Sequence, residues 1–357
     1  LREVISMESN GFFKLNKKYF KHFKEGVAMS WEGGNPEIDR IYSQELENLL
    51  GPARKKGEEL SQQHKDIATS VQVLTEEIIF HILNSLQKKT GQKNVCIAGG
   101  VAQNSVANGK ILRNTSFEKV YIPSAGHDAG TSMGAALWVY HQLQNKARNE
   151  PVYDAYTGYS ASDEEIESCL KKSKVEYRKL NEKDLIEEVT DQLVGGAVVG
   201  WYNGRAEFGP RALGHRSILV DPRRTDAKQL LNSKIKKRES FRPFAPSILE
   251  EYVEEYFEIV DKVPFMEKVF PIKKEKHSEI PAVTHVDGTG RLQTVRKGDR
   301  YYDLIEAFRK KTGTPILLNT SFNENEPIVN TAQEALDCYL RTQMDVLVLN
   351  DYLVVRK

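Results

Sequence analysis

Residues 195–217 constrain the fold of this chain more than any other stretch. "GGAVVGWYNG" (195–204) is an apolar run of strand length bounded by glycines. "GRAEFGPRALGHRS" (204–217) follows it at once, threading Arg205, Arg211, His215 and Arg216 through three glycines and a proline. A helix does not tolerate Pro210 beside Gly209 in its interior, and a solvated strand has no use for the glycines. The segment is therefore a bend at a strand end. Gly204, Gly209 and Gly214 let the backbone turn and approach a ligand with its N–H groups exposed. Arginine presents a planar fork that pairs bidentately with phosphate or carboxylate, and His215 adds a hydrogen bond or polarises a carbonyl oxygen. A basic loop with only a structural task has the same composition.

Charge sharpens the choice. The 357 residues carry 51 Lys and Arg against 50 Asp and Glu, so the whole chain offers no field for a polyanion. Residues 205–242, however, hold eleven Lys or Arg and four Asp or Glu, a local net of +7. A local excess asks for a local anion or a solvated basic face. No window of 18 apolar residues occurs and residue 1 does not open a signal peptide, so the reading is a cytoplasmic protein without membrane contact. Cys96, Cys169 and Cys338 are far apart and outside any CxxC, which fits reduced thiols packed in cores.

The chain as a whole reads as α/β in two parts. Residues 1–58 are short elements, with "EGGNPE" (32–37) as a loop. Ile67, Val71, Leu74, Ile78, Ile82 and Leu86 recur at helical spacing and predict one long helix over 59–89, stopped near Gly91. The strand "NVCIAGG", a helix over about 103–113, the strand "KVYIPS" and a helix over 128–145 follow. Residues 146–160 form a polar linker. Beyond it Ser162 caps "SDEEIESCL", helices are expected at about 225–236 and 247–257, and "TPILLNTSFN" (314–323) is a strand. "DVLVLNDYLVVRK" closes the chain as a hairpin around Asn350–Asp351.

Three more segments after the linker carry ligand chemistry. "IKKRESFRPFAPS" (235–247) supplies Lys236 and Arg242, "HVDGTGRLQTV" (285–295) supplies His285 and Arg291, and "NTSFN" (319–323) supplies Ser321 and Asn323 at a strand end. Four such segments in one domain favour a phosphate-bearing substrate. Before the linker, "AGGVAQN" (98–104) puts Gly99, Gly100 and Asn104 between a strand and a helix, which suits an anion at a helix N-terminus. It matches neither the dinucleotide fingerprint nor the P-loop. In "AGHDAGTSMG" (125–134), Asp128 after His127 is either a helix cap or a metal ligand, with no HxxxH or HExxH elsewhere to complete a site.

Those segments, in this order, resemble the O-carbamoyltransferases of antibiotic and nodulation-factor biosynthesis, from about residue 25 to the C-terminus. The resemblance implies a Kae1-like domain of actin/Hsp70-like ATPase fold (1–150), followed by a YrdC-like α/β domain (151–357). It implies that carbamoyl phosphate and ATP are joined into carbamoyl-adenylate with release of pyrophosphate. The carbamoyl group then passes to a hydroxyl of a sugar or natural product in the Kae1-like domain, which holds Fe2+. It places carbamoyl-phosphate contacts on Arg211 and His215, with Arg205 and Arg216 nearby. ATP contacts fall on Lys236, Arg242, Arg291 and Ser321, with Asn323 close by, and the metal ligand on Asp128. The family's upstream His pair is absent here, so the chain reads as a fragment lacking the first lobe of the Kae1-like domain. Metal binding and the final transfer are then expected of the parent protein rather than of this chain.

No nucleic acid is expected as partner, and a homodimer is compatible with the resemblance. Two other functions remain open from sequence: a threonylcarbamoyl-type tRNA modification enzyme and a non-catalytic scaffold. The first needs a nucleic-acid surface, yet the basic excess lies among Gly and Pro with few aromatics for stacking.

Overall fold

The computed structural model describes residues 1–30, 37–55, 57–148, 154–239 and 241–356. The loop expected at 32–37 falls, except for Glu37, outside the described residues, as does the expected domain boundary at 150–151. The described residues form two compact units: Leu1–Val95 with Lys110–Val120, and Cys96–Gly109 with Tyr121–Lys357.

The first unit is built on the expected long helix, α1 (Gln62–Thr90). Ser61 opens it with a reciprocal cap: its Oγ accepts the His64 N–H, and its own N–H donates to His64 Nδ1 at 3.1 Å. Gly91 ends it in the left-handed region at φ +64°. The apolar stripe is less covered than its spacing implies. Only Glu76 and Leu83 are buried, while Val71, Ile82 and Leu86 stay exposed. The other elements of this unit are short, including the hairpins Ile5–Met7 with Phe13–Leu15 and Met29–Ser30 with Glu37–Ile38. The helix expected over 103–113 is instead three short turns, Gly100–Gln103, Ser105–Asn108 and Ile111–Asn114, interrupted around Gly109. The helix expected over 128–145 is α2 (Gly130–Trp138), running into a wider turn at Val139–Leu143.

The second unit is organised by a nine-stranded mixed sheet. Its strands are β1 (Arg178–Lys179), β2 (Val199–Tyr202), β3 (Arg216–Val220), β4 (Ala245–Leu249), β5 (Lys268–Pro271), β6 (Thr289–Val295), β7 (Ile316–Ser321), β8 (Val346–Leu349) and β9 (Tyr352–Val355). They lie in the order β5-β6-β4-β7-β3-β2-β8-β9-β1. Only β4 with β6 and β2 with β8 run parallel. Alternate residues feed two cores, as a doubly covered sheet requires. Ile218, Val220, Leu347 and Leu349 face α3 (Asp163–Ser173) and α6 (Ala332–Arg341). Leu219, Trp201, Val346 and Val348 face α4 (Glu182–Val194) and α5 (Arg300–Thr312). The Ser162 cap of α3 and the hairpin at Asn350–Asp351 are as the sequence implies.

Residues 247–257 depart from expectation. Their helical spacing yields to the sheet: all five residues of β4 are buried, and only two short turns, Glu250–Tyr252 and Val253–Tyr256, follow. The helix expected at 225–236 is one turn, Ala227–Leu230, continued in a wider turn at Leu231–Ile235. Cys169 and Cys338 are buried as expected of packing thiols, but Cys96 is exposed.

The strand directions decide where ligand chemistry collects. β2 and β7 end, and β3, β4 and β6 begin, at one edge of the sheet, because Tyr202 pairs with Arg216, Ser321 with Ser217, and Ala245 with Asn319. Gly214, just before β3, sits at φ +110°, where an added Cβ would stand 2.0 Å from the Tyr301 ring. Gly214→Ala is expected to cost about 3 kcal/mol through backbone strain and overpacking. Gly313→Ala, left-handed (φ +82°) but in open space, should cost only about 1 kcal/mol. Chemical denaturation of both variants checks this, and equal losses would show that the Tyr301 contact yields.

Candidate functional site

The four basic side chains of the bend do not share one task. Arg216 is 1% exposed and stacks 3.5 Å over the Tyr202 ring. Its guanidinium donates to four backbone carbonyls: Asn203 at 3.1 Å, His215 at 3.0 Å, Tyr159 at 2.9 Å and Gly204 at 3.1 Å. Arg205 is exposed and donates to the carbonyls of Gly158 and Thr157 at 3.1 and 2.7 Å. Both arginines pin the bend to residues 157–159. Arg211 alone among the four makes no hydrogen bond or ion pair with the described residues, and burial pulls its pKa down.

His215 is anchored on both sides of its ring. It stacks on Tyr156 with ring centroids 3.6 Å apart. Nδ1 lies 2.7 Å from the Arg205 carbonyl and Nε2 lies 2.8 Å from Asp299 Oδ2, so both nitrogens face acceptors. That arrangement suits imidazolium, which donates from both sides. Burial opposes the charge, but Asp299, Glu207 and the Arg205 carbonyl outweigh it and raise the pKa. With both nitrogens engaged, the ring fixes the bend instead of reaching toward a ligand.

The opposite wall comes from the end of β7. Lys236 is 1% exposed and its ammonium donates to the Ser321 carbonyl at 2.5 Å, the Asn323 carbonyl at 2.7 Å and Asn323 Oδ1 at 2.6 Å. Burial, helped by the charge of Arg238, pushes its pKa down to about 7. The three oxygens match the three N–H groups of an ammonium, so Lys236 clamps the 321–323 turn. Ser321 Oγ donates to Asn323 Oδ1 at 2.7 Å. Between the walls lies a cavity of about 440 Å³, lined by Glu207, Arg211 and Arg216 on one side and by Ser321, Asn323 and residues 327–330 on the other.

Arg291, on β6, carries a buried Nε without a partner. Burial and the charges of Arg211 and Arg238 bring its pKa down to about 9. His285 is half-buried, and desolvation brings its pKa down to about 4, so it is neutral at pH 7. Arg242 is exposed, pairs with Glu239 at 3.4 Å and does not line the cavity. A larger cavity of about 680 Å³ has Tyr156 and Asp299 in its walls, but its charges are balanced: Asp154, Glu250 and Asp299 against Lys262, Arg296 and Lys297. Sequence reasoning missed Asp299, Tyr156 and Glu207, which carry no motif of their own.

The earlier signals look different in the structure. Gly99 and Gly100 are exposed, and Asn104 caps the four-residue turn Ser105–Asn108 by accepting the Ala107 N–H at 3.1 Å. Asp128 is exposed and does not cap α2, whose first turn has no side-chain cap. Among the described residues no three His, Cys, Asp or Glu side chains gather into a metal-binding group, so Asp128 with His127 does not amount to a site for the implied Fe2+.

Two family models match the chain: the carbamoyltransferase N-terminus over residues 1–137 and the carbamoyltransferase C-terminus over 190–356. The chain belongs to the carbamoyltransferase family. It is 43% identical to the nodulation protein NolO of Bradyrhizobium diazoefficiens over 95% of its own length and 63% of that protein. It is 44% identical to the nodulation protein NolNO of Sinorhizobium fredii, covering 90% of this chain and 48% of that one. An uncharacterized protein of Synechocystis is 40% identical over 100% of this chain and 61% of its own. The chain thus spans about half to two thirds of the relatives it matches. Among solved structures, full-length HypF in its phosphate- and nucleotide-bound form overlaps 50% of this chain and 22% of that one, at TM-score 0.32 and 19% identity. That overlap carries no argument here.

The His215–Asp299 pair makes stability depend on pH. A raised folded pKa means that the stabilisation is full below the ordinary histidine range and is lost as pH rises through the folded value. Asp299, held below its usual range despite burial by the His215 bond, sets the acid limit. His215→Gln is expected to cost about 3 kcal/mol at pH 6, where it leaves a buried carboxylate without its cation. The cost should shrink at pH 9, measured by denaturation at both values, and a pH-independent cost would deny the charge.

Proposed function

We propose that the second unit binds carbamoyl phosphate and ATP in the cavity between residues 206–216 and 321–330, and joins them into carbamoyl-adenylate. The observation that carries this reading is Arg211, a half-buried guanidinium that lines the cavity without a partner among the described residues. Arg291, whose pKa is lowered by burial and by the charges of Arg211 and Arg238, is relieved by an anion, and a phosphate dianion suits both guanidinium groups. Water cleaves the P–O bond of carbamoyl phosphate and inorganic phosphate leaves. A carboxylate oxygen of the resulting carbamate then attacks the α-phosphorus of ATP and pyrophosphate leaves, and in both steps charge builds on the phosphate oxygens. Arg211 and Arg291 offset it in a site shielded from bulk water. Arg211 takes the carbamoyl-phosphate side, while Arg291, with the Ser321 hydroxyl, takes ATP phosphates. Arg205, His215, Arg216 and Lys236 hold these groups in place without touching the ligand, and Arg242 works from outside the cavity lining.

In the parent protein the carbamoyl group is then transferred: a hydroxyl oxygen attacks the carbamoyl carbon and AMP leaves. The acceptor in this reading is a hydroxyl of a small molecule, a sugar or natural product. The domains implied by the resemblance, Kae1-like over 1–150 and YrdC-like over 151–357, fit this order of events. No step of this reading runs through a metal. No described helix is long and apolar enough to cross a membrane, and a cytoplasmic setting suits ATP chemistry.

Arg211→Ala should lower carbamoyl-phosphate-dependent pyrophosphate release from ATP by about 10- to 100-fold, the worth of a charge-assisted hydrogen bond. Arg291→Ala should raise the KM for ATP by a similar factor. Pyrophosphate release with each substrate varied is the measurement. Parental rates in Arg211→Ala would remove the residue that the reading depends on.

A further inference from the structure

We infer that Glu207 is a positioning residue that shapes the anion-binding bend. This rests on the proposal that the cavity takes carbamoyl phosphate. One carboxylate oxygen, Oε1, accepts three backbone N–H groups: Leu213 at 2.6 Å, His215 at 2.8 Å and Arg216 at 3.2 Å. The one amide skipped between them, Gly214, donates instead to Ser217 Oγ at 3.0 Å. Every N–H from 213 to 216 therefore has an acceptor, and three of the four depend on a single atom. Successive amides converging in this way form a concave anion site. Here the chain fills that site with its own carboxylate.

The consequence falls on Arg211. Glu207 reaches across to residues 213–216, so residues 208–212 close into a short loop whose tip carries Arg211, and both side chains line the same cavity. The neighbours on either side are fixed by other means, since Arg205 is bonded to residues 157 and 158 and Arg216 to four carbonyls. Among the described residues nothing bonds to Arg211 in that way. Its position follows from the closure that Glu207 imposes. Without the acceptor, three amides would seek other oxygens and the tip would relax, while the flanking anchors hold the rest of the bend.

The test compares Glu207→Ala, which removes the acceptor, with Glu207→Gln, which keeps a carbonyl oxygen at the same reach. Glu207→Ala should raise the KM for carbamoyl phosphate at least 10-fold while the KM for ATP moves less than 3-fold. Glu207→Gln should recover most of that loss. Titration of inorganic phosphate against the same proteins should show the same ranking, with or without turnover. If Glu207→Ala does not fold, Glu207→Asp, one methylene short of the amides, replaces it with the same expectation. Parental phosphate affinity and KM in the acceptor-less variant would overturn the inference, as would a Glu207→Gln variant no better than Glu207→Ala. Absence of carbamoyl-phosphate-dependent pyrophosphate release by the parent would instead overturn the proposed function, with phosphate titration still judging Glu207. A parent that binds no phosphate overturns both.

Discussion

A guanidinium taken out of water must find oxygens for its N–H groups, and Arg216 finds four backbone carbonyls within 3.1 Å. Those carbonyls belong to Tyr159, Asn203, Gly204 and His215, so one side chain joins the segment before α3, the end of β2 and the start of β3. The stack on Tyr202 carries the cation across the strand pair. Removing it would take one donor from each of four carbonyls, so a single side chain ties down the bend despite its three glycines. Lys236 does the equivalent for the turn after β7, with three oxygens around one ammonium. The Asp299–His215 pair adds a third brace from the N-terminus of α5.

Against these braced ions, of which Arg216 leaves only its Nε unbonded, the cations with no bond to the described residues gain meaning. A protein that can give Arg216 four acceptors has no difficulty in partnering arginines, yet Arg211 and the Nε of Arg291 lack partners among the described residues. Burial, with the charges of Arg211 and Arg238 beside it, lowers the pKa of Arg291 to about 9. Buried or half-buried cations left in this state commonly mark where a ligand supplies the missing charge. The distinction between bracing and waiting cations is what separates the roles assigned here.

That distinction was not legible in the sequence. The glycines and arginines of 204–217 announce an anion-seeking bend, and the Ser162 cap, Gly91 and the terminal hairpin are local signals that the structure repeats. The partners that sort the arginines are remote in sequence: Tyr159 lies 57 residues from Arg216, and Asp299 lies 84 from His215. No spacing rule reaches that far. β3 and β6 were missed for a related reason. "RSILV" and "TGRLQTV" begin inside ligand segments, so their polar and glycine starts read as loop until the neighbouring strands supply hydrogen bonds. β4 was misread because a strand buried on both faces has no period of its own, and the residues after it restore a helical spacing.

The mixed direction of the sheet completes the logic. An all-parallel sheet would offer only strand carboxyl ends at its ligand edge. Here β2 and β7 arrive with their C-terminal ends while β3, β4 and β6 leave with their N-terminal ends. Strand starts contribute backbone N–H groups, as at 213–216, and strand ends contribute Ser321 and Asn323. The same register holds the chemistry in place. Arg216 shares a face with Ile218 and Val220, whose side chains enter one core, while Leu219 enters the other. A one-residue slip of β3 against β2 would exchange those faces, expose or misplace core side chains, and turn Arg216 away from its carbonyls. The apolar packing that fixes the strand register therefore also keeps Arg216 on its carbonyls, while Arg211 stays without a bond to the described residues.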